Sequence, residues 1–313
     1  MNKNVIVIVG PTASGKTDTS INIAQEINAE IISADSMQIY KYMDIGTAKP
    51  TKQEMRGIKH YLIDEVCPDE EFSVANYYTY ANKYIDNVFE KGKIPIVVGG
   101  TGLYIKALTE NMNFTQTICD WDFRNRMKAD VRKKGNEYLH EKLKQVDAEA
   151  ASKIHSNDVK RVIRALEVYE YTNIPISVHQ KMTLGKVSDK SYLLLGLTMD
   201  RDKLYDRINK RVDKMINMGL IEEVCSLLKM GYRPELISMQ GLGYKEVVWY
   251  LQGKLNFEEM INILKRNTRR YAKRQYTWFN SNKDIIWIDM ADAENRDGMI
   301  KKVKQYLAIN GII

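Results

Sequence analysis

Eight consecutive residues, Gly10, Pro11, Thr12, Ala13, Ser14, Gly15, Lys16 and Thr17, match the pattern G-x-x-x-x-G-K-[ST]. They sit where that pattern works, after an apolar run at 5–9 and before a stretch of helical periodicity. Glycines let the backbone turn tightly, so that successive N–H groups and the following helix N-terminus face phosphate oxygens. Lys16 supplies charge and Thr17 a hydroxyl for Mg²⁺. The residues therefore predict a P-loop that binds a diphosphate or triphosphate.

A P-loop nucleotide hydrolase usually adds a magnesium-associated acid at the end of a second apolar strand. The run at 94–98 instead leads into Gly99, Gly100, Thr101 and Gly102, with no carboxylate. Asp35, after the run at 30–34, is the better placed acid, because ligands of open α/β sheets bind at the carboxyl ends of the strands. A carboxylate there can hold a metal, take a proton from a nucleophile, or simply cap a loop. Thr101 offers a hydroxyl at the next strand end, although the same glycines suit an ordinary strand-to-helix turn.

Cations gather on helical stretches. Lys203, Arg207, Arg211 and Lys214 form one stripe beside an apolar one, the usual sign of a solvated face. Arg207 and Arg211 become more than that if a departing diphosphate needs guanidinium partners. The segment 265–279 interleaves cations with Tyr271, Tyr276, Trp278 and Phe279, which suits either RNA phosphates and unpaired bases or an amphipathic helix with core aromatics. Arg124, Lys160, Arg161 and Arg164 allow the same two readings. His60, His140, His155 and His179 show no ligand spacing, and Cys67, Cys119 and Cys225 no pairing, so these are expected to be bystanders in a reducing cytoplasm.

The elements that must position these groups are legible as short β-branched runs at 4–9, 30–34, 58–63, 94–98, 192–199 and 285–288. Their near-continuous apolarity predicts buried parallel strands. Helical periodicity at 16–27 and 73–91 lies between them, with Ser73 as an N-cap, and recurs at 201–218, 220–229 and 257–279. The fold class expected is α/β, a P-loop core with a mostly parallel sheet flanked by helices. Between 112 and 189 the chain turns to charged helices, at 122–134, 137–146 and 158–172, which predicts a helical insertion between core segments 1–111 and 190–313. The 313 residues, 44% hydrophobic, suffice for a core plus a smaller domain. No leader peptide or apolar run of about 20 residues is present, so no membrane contact is expected. The net charge of +7 suits a polyanionic partner.

Several blocks in order then resemble the bacterial tRNA dimethylallyltransferase family, also called tRNA isopentenyltransferases. They are the P-loop and stretches 33–40, 44–50, 97–105, 161–168, 240–245 and 268–279. The resemblance implies transfer of a dimethylallyl group from dimethylallyl diphosphate to N6 of the adenosine 3′ of the anticodon. It implies Asp35 as general base, with Thr101 and Lys16 assisting at the reacting centre. The diphosphate would be held by residues 10–17, by Mg²⁺ on Thr17 and by Arg207 or Arg211. It also implies that tRNA, through its anticodon stem-loop, is contacted by Asp35, Ser36, Met37, Gln38, Thr101 and Arg124. Further contacts would come from Lys160, Arg161, Val162, Ile163 and Arg164 in the insertion, from Gln240, Gly241, Leu242, Gly243, Tyr244 and Lys245, and from Lys273, Arg274, Gln275, Thr277 and Trp278. The absence of Cys/His pairs near the C-terminus sets the chain apart from eukaryotic relatives with a zinc-finger extension and suggests a compact bacterial-type enzyme, expected as a monomer. The competing classes are a small-molecule P-loop kinase, a nucleotide-switched RNA-binding protein and the neighbouring adenylate isopentenyltransferases.

Overall fold

The computed structural model describes residues 3–112, 120–183, 189–290 and 296–312; Cys119 lies outside them. Contacts divide the chain into two compact units, Met1–Thr109 with Asp189–Ile313, and Glu110–Ser188.

The first unit is built on strands β1 (Lys3–Val9), β2 (Ala29–Ser33), β3 (His60–Tyr61), β4 (Ile94–Val98), β5 (Lys190–Thr198) and β6 (Ile286–Asp289). Every pairing is parallel and the order is β3-β2-β4-β1-β5-β6. Its helices are α1 (Lys16–Glu26), α2 (Lys52–Met55), α3 (Val74–Glu90) and α4 (Gly102–Thr109). The second unit carries α5 (Trp121–Lys134), α6 (Asn136–Val146), α7 (Ala148–Lys153), α8 (Val159–Thr172) and α9 (Ile176–Thr183). The chain then returns to the first unit with α10 (Arg201–Asn217), α11 (Leu220–Lys229), α12 (Tyr244–Leu251), α13 (Phe257–Asn280) and α14 (Arg296–Ile309).

Alternate residues of β1 serve opposite faces of the sheet. Val5, Val7 and Val9 pack with side chains of α3, α11, α12 and α13, while Ile6 and Ile8 pack with α1 and α14. Burial on both faces is why the run is continuously apolar. The strand order also decides where chemistry sits. β4 lies between β1 and β2, so the P-loop, the Thr101 turn and Asp35 leave three adjacent strands at one edge. At that edge Gly10 has φ +144°, and a Cβ there would come within 2.6 Å of the Leu197 carbonyl oxygen on β5, so no other residue fits.

Helix starts follow local chemistry. Ser73 accepts from the Asn76 N–H and Asn76 returns the bond, and Asn256 and Glu259 close the same box at the start of α13. The run expected as a strand over 58–63 forms a ladder only at His60–Tyr61, because Leu62 and Asp64 turn the chain with φ of +60° and +58°. Helical periodicity also passes over α4 and α12. These are eight-residue helices buried on most sides, so they have no polar stripe to reveal them.

The second unit has its own core, with Phe123, Leu139, Leu143, Val162, Ile163 and Leu166 packed together. The fully buried Glu167 carboxylate accepts two bonds from Arg124, at 2.8 and 2.9 Å, one from Arg164 at 2.5 Å and one from the Asp120 N–H at 2.9 Å.

Candidate active site

A cleft of about 420 Å³ opens at the sheet edge, lined by Thr12, Ala13, Gly15, Lys16 and Thr17 of the P-loop together with Asp35, Gly100, Arg207, Arg211 and Tyr271. Gly15, with φ +95°, starts α1 without a side-chain cap, so the first N–H groups of that helix remain available to an anion. Ser14 is buried, and its hydroxyl has no partner among the described residues.

Three cations converge on this cleft. Lys16 donates to the Pro11 carbonyl at 2.7 Å. Its burial, and then the Arg211 charge, lower its pKa to about 7 against the opposing pull of Asp35. Burial likewise lowers the pKa of Arg211, which Asp35 and Glu54 partly oppose. Arg207, on the same face of α10 one turn earlier, brings its guanidinium over Gly15. Among the described residues neither arginine forms an ion pair. The stripe read as a solvated face is thus split: half-buried Arg211 and exposed Arg207 line the cleft, while Lys203 and Lys214, also exposed, do not.

Asp35 is held as an Asx turn, one carboxylate oxygen accepting the Met37 N–H at 2.9 Å. Thr101 accepts the Ser36 N–H at 3.0 Å and donates to the Ser36 hydroxyl at 3.3 Å, tying the β4 turn to the β2 turn. Gln38 accepts from Ser33 at 3.1 Å and reaches the carbonyls of Thr47 and Ala48, both at 3.4 Å, which brings Thr47 to the cleft wall.

Magnesium takes oxygen donors, keeps several waters and often needs only one or two protein ligands beside a phosphate. Thr17 and Asp35 line the same cleft, so the donor set fits that ion. No group of three or more His, Cys, Asp or Glu among the described residues could hold a metal by itself. His60 is bonded to the Ile58 carbonyl, His140 to those of Ala151 and Ile154, and Cys67 and Cys225 are unpaired thiols.

The residues expected to meet RNA separate into exposed and internal sets. Lys160, Arg161, Gln240, Lys273, Arg274, Thr277 and Trp278 are exposed. Val162 and Ile163 are core side chains of the second unit, Arg124 and Arg164 bind Glu167, and Tyr244 is buried with its hydroxyl on Glu223 at 2.7 Å. The Val162, Ile163 and Tyr244 side chains are thus internal, while Arg124 and Arg164 bind Glu167 and stay partly exposed. The reason is helical: in α8 the cations and the core residues fall on different faces of one helix. Gly241 packs against Met37, a close approach that joins the 240–245 turn, including Leu242, Gly243 and Lys245, to the Asp35 turn.

Sequence reasoning missed Thr47, Glu223 and the placement of Tyr271. Glu223 accepts the N–H groups of Asp44, Ile45 and Gly46 at 2.9, 2.7 and 3.1 Å, and so shapes the loop that carries Thr47. No local pattern announces a carboxylate that caps a loop about 180 residues away. Tyr271 was legible as an aromatic among cations, but it lines the cleft, and burial together with the Asp35 charge pushes its phenol up.

A protein-family model described as IPP transferase matches residues 38–282. A tRNA dimethylallyltransferase of Acetivibrio thermocellus is 59% identical over 99% of both chains, and one from Alkaliphilus oremlandii is 54% identical over 96% of this chain and 95% of its own. The crystal structure of a tRNA isopentenylpyrophosphate transferase from Bacillus halodurans matches with TM-score 0.73 and 45% identity, covering 98% of this chain and 96% of that one. A eukaryotic dimethylallyltransferase acting on tRNA matches with TM-score 0.82 and 31% identity, covering 98% and 78% respectively. The family model begins just after Asp35, while the relatives span the P-loop as well, and on both grounds the chain belongs to the IPP transferase family.

Proposed function

We propose that the protein is a tRNA dimethylallyltransferase that moves a dimethylallyl group from dimethylallyl diphosphate to N6 of the adenosine 3′ of the anticodon. The observation that carries this reading is one cleft that Lys16 of the P-loop lines together with Arg207, Arg211 and Asp35. The cations match a diphosphate, and the carboxylate matches an acceptor that must lose a proton.

In the reaction the allylic C–O bond breaks and its electron pair leaves on the diphosphate, while the N6 lone pair forms the new N–C bond. Adenine N6 is a weak nucleophile because its lone pair is delocalised into the ring, so a positioned base contributes directly to the rate. Asp35 takes the N6 proton on the carboxylate oxygen that Met37 leaves unoccupied. P-loop N–H groups, Lys16 and the two arginines stabilise the charge growing on the leaving group. Mg²⁺ held by Thr17 and the diphosphate would add to that neutralisation. Thr101, fixed on Ser36, keeps the Asp35 turn in register with the P-loop edge.

The exposed cations of α8 and α13 suit tRNA phosphates, with the helical insertion gripping the anticodon stem. The target base must leave its stack to reach the cleft, and Trp278 offers an exposed aromatic face near that edge. A cytoplasmic monomer fits this reading; no helix among the described residues is long and apolar enough to cross a membrane.

The test is incubation with labelled dimethylallyl diphosphate and either bulk tRNA or AMP. Label entering tRNA alone is expected. Label entering AMP alone would mark an adenylate isopentenyltransferase, and phosphate transfer from ATP without RNA a kinase.

A further inference from the structure

Gln275 lies in the basic segment of α13 between exposed Arg274 and Thr277, yet it is 6% exposed. Its side-chain oxygen accepts the N–H of Thr12 in the P-loop at 2.8 Å, and its side-chain nitrogen donates to the Gly100 carbonyl at 3.0 Å. One amide thus bridges the loop after β1 and the loop after β4. Gly100 is required for that approach, since a Cβ there would lie 2.1 Å from the Gln275 nitrogen. One turn further along the same helix, Trp278 closes over Gly102, where a Cβ would meet its ring at 2.3 Å. The amide continues a chain of bonds, because Gly100 precedes Thr101, and Thr101 holds Ser36 beside Asp35.

Resting on the donor-site reading above, we infer that Gln275 is a positioning residue for the diphosphate cradle and not an RNA contact. The Thr12 N–H precedes the amides of 13–17 that face phosphate in a P-loop, so holding it fixes the cradle without competing with the ligand. An amide suits both partners at once, as one end accepts and the other donates. A side chain of equal length without both functions releases one loop from the other. The exposed face of α13 remains for RNA, so the helix that would meet tRNA also sets the geometry of the donor loops.

The test compares wild type, Gln275→Met, Gln275→Glu and Lys16→Ala. Calorimetry with dimethylallyl diphosphate and with inorganic pyrophosphate, in the absence of RNA, measures the cradle; filter binding measures tRNA affinity. Gln275→Met should weaken donor binding roughly tenfold or more, the combined effect of two hydrogen bonds, and leave tRNA affinity within about twofold. Gln275→Glu keeps the acceptor for Thr12 but can donate to Gly100 only when protonated. Its donor affinity relative to wild type should therefore recover as pH falls, a signature that general loss of packing does not produce. Wild-type donor affinity in Gln275→Met with weakened tRNA binding would assign Gln275 to RNA and overturn the inference, as would a pH-independent deficit in Gln275→Glu. If wild type and Lys16→Ala bind pyrophosphate equally, the donor-site reading itself fails and this inference falls with it.

Discussion

The cleft and the centre of the helical insertion both collect cations around a carboxylate, and they end in opposite electrostatic states. In the insertion, Glu167 is fully buried and takes the guanidinium groups of Arg124 and Arg164 together with the Asp120 N–H. Burial would raise its pKa, but those bonds hold the carboxyl below the ordinary value. In the cleft, Lys16, Arg207 and Arg211 face Asp35 across open space, and burial lowers the pKa of Lys16 and Arg211 instead of pairing raising it. The first cluster is complete within the protein. The second is short of negative charge, which on the proposed reading a diphosphate would supply.

Replacing the two carboxylates sharpens the contrast. Asp35→Asn should lower single-turnover transfer roughly 10²- to 10⁴-fold, the usual worth of positioned proton transfer, while leaving donor affinity and melting temperature close to wild type. If Asp35 instead holds magnesium, donor affinity falls in step with rate and recovers at high magnesium. A large loss of stability would make Asp35 a structural partner of Arg211, and the two clusters would be alike.

Glu167→Ala should do the reverse. Breaking the buried pair leaves two guanidinium groups uncompensated and should cost about 3–5 kcal/mol of stability in thermal or denaturant unfolding. Donor affinity, measured with dimethylallyl diphosphate well below the unfolding transition, should not move. The sign of the pH dependence follows from the depressed carboxyl. Its stabilisation is complete above the ordinary glutamate value of 4.5 and is lost as pH falls through the lower folded value. The variant should accordingly lack that part of the acid transition, and an unchanged acid limb would break the comparison.

Much of this was readable in advance because the chemistry is local. The P-loop declares itself in eight residues, and Asp35 and Thr101 by standing at the ends of apolar runs, which the order β2-β4-β1 then places side by side. Arg207 and Arg211 were legible as a stripe but not as the part of it that lines the cleft, because periodicity gives a face and not what that face meets. Gln275 entered the tRNA-binding expectation through the family resemblance, and Tyr271 was read only as an aromatic among cations. Their place at the cleft depends on the packing of α13 against loops more than 150 positions earlier, a long-range contact that no spacing encodes. The same limit hid Glu223 and the burial of Val162 and Ile163 in the core of the insertion, two residues for which the resemblance implied tRNA contacts.

The most direct test is of the claim that the open cluster is completed by diphosphate. Dimethylallyl diphosphate is titrated calorimetrically into wild type and Lys16→Ala, with tRNA affinity measured on the same preparations. The expected result is tight donor binding by wild type, a loss of affinity on the order of 10²-fold in the variant, and equal tRNA affinity in both. Donor affinity unchanged by the loss of Lys16 would contradict the claim and return the P-loop to an unassigned turn.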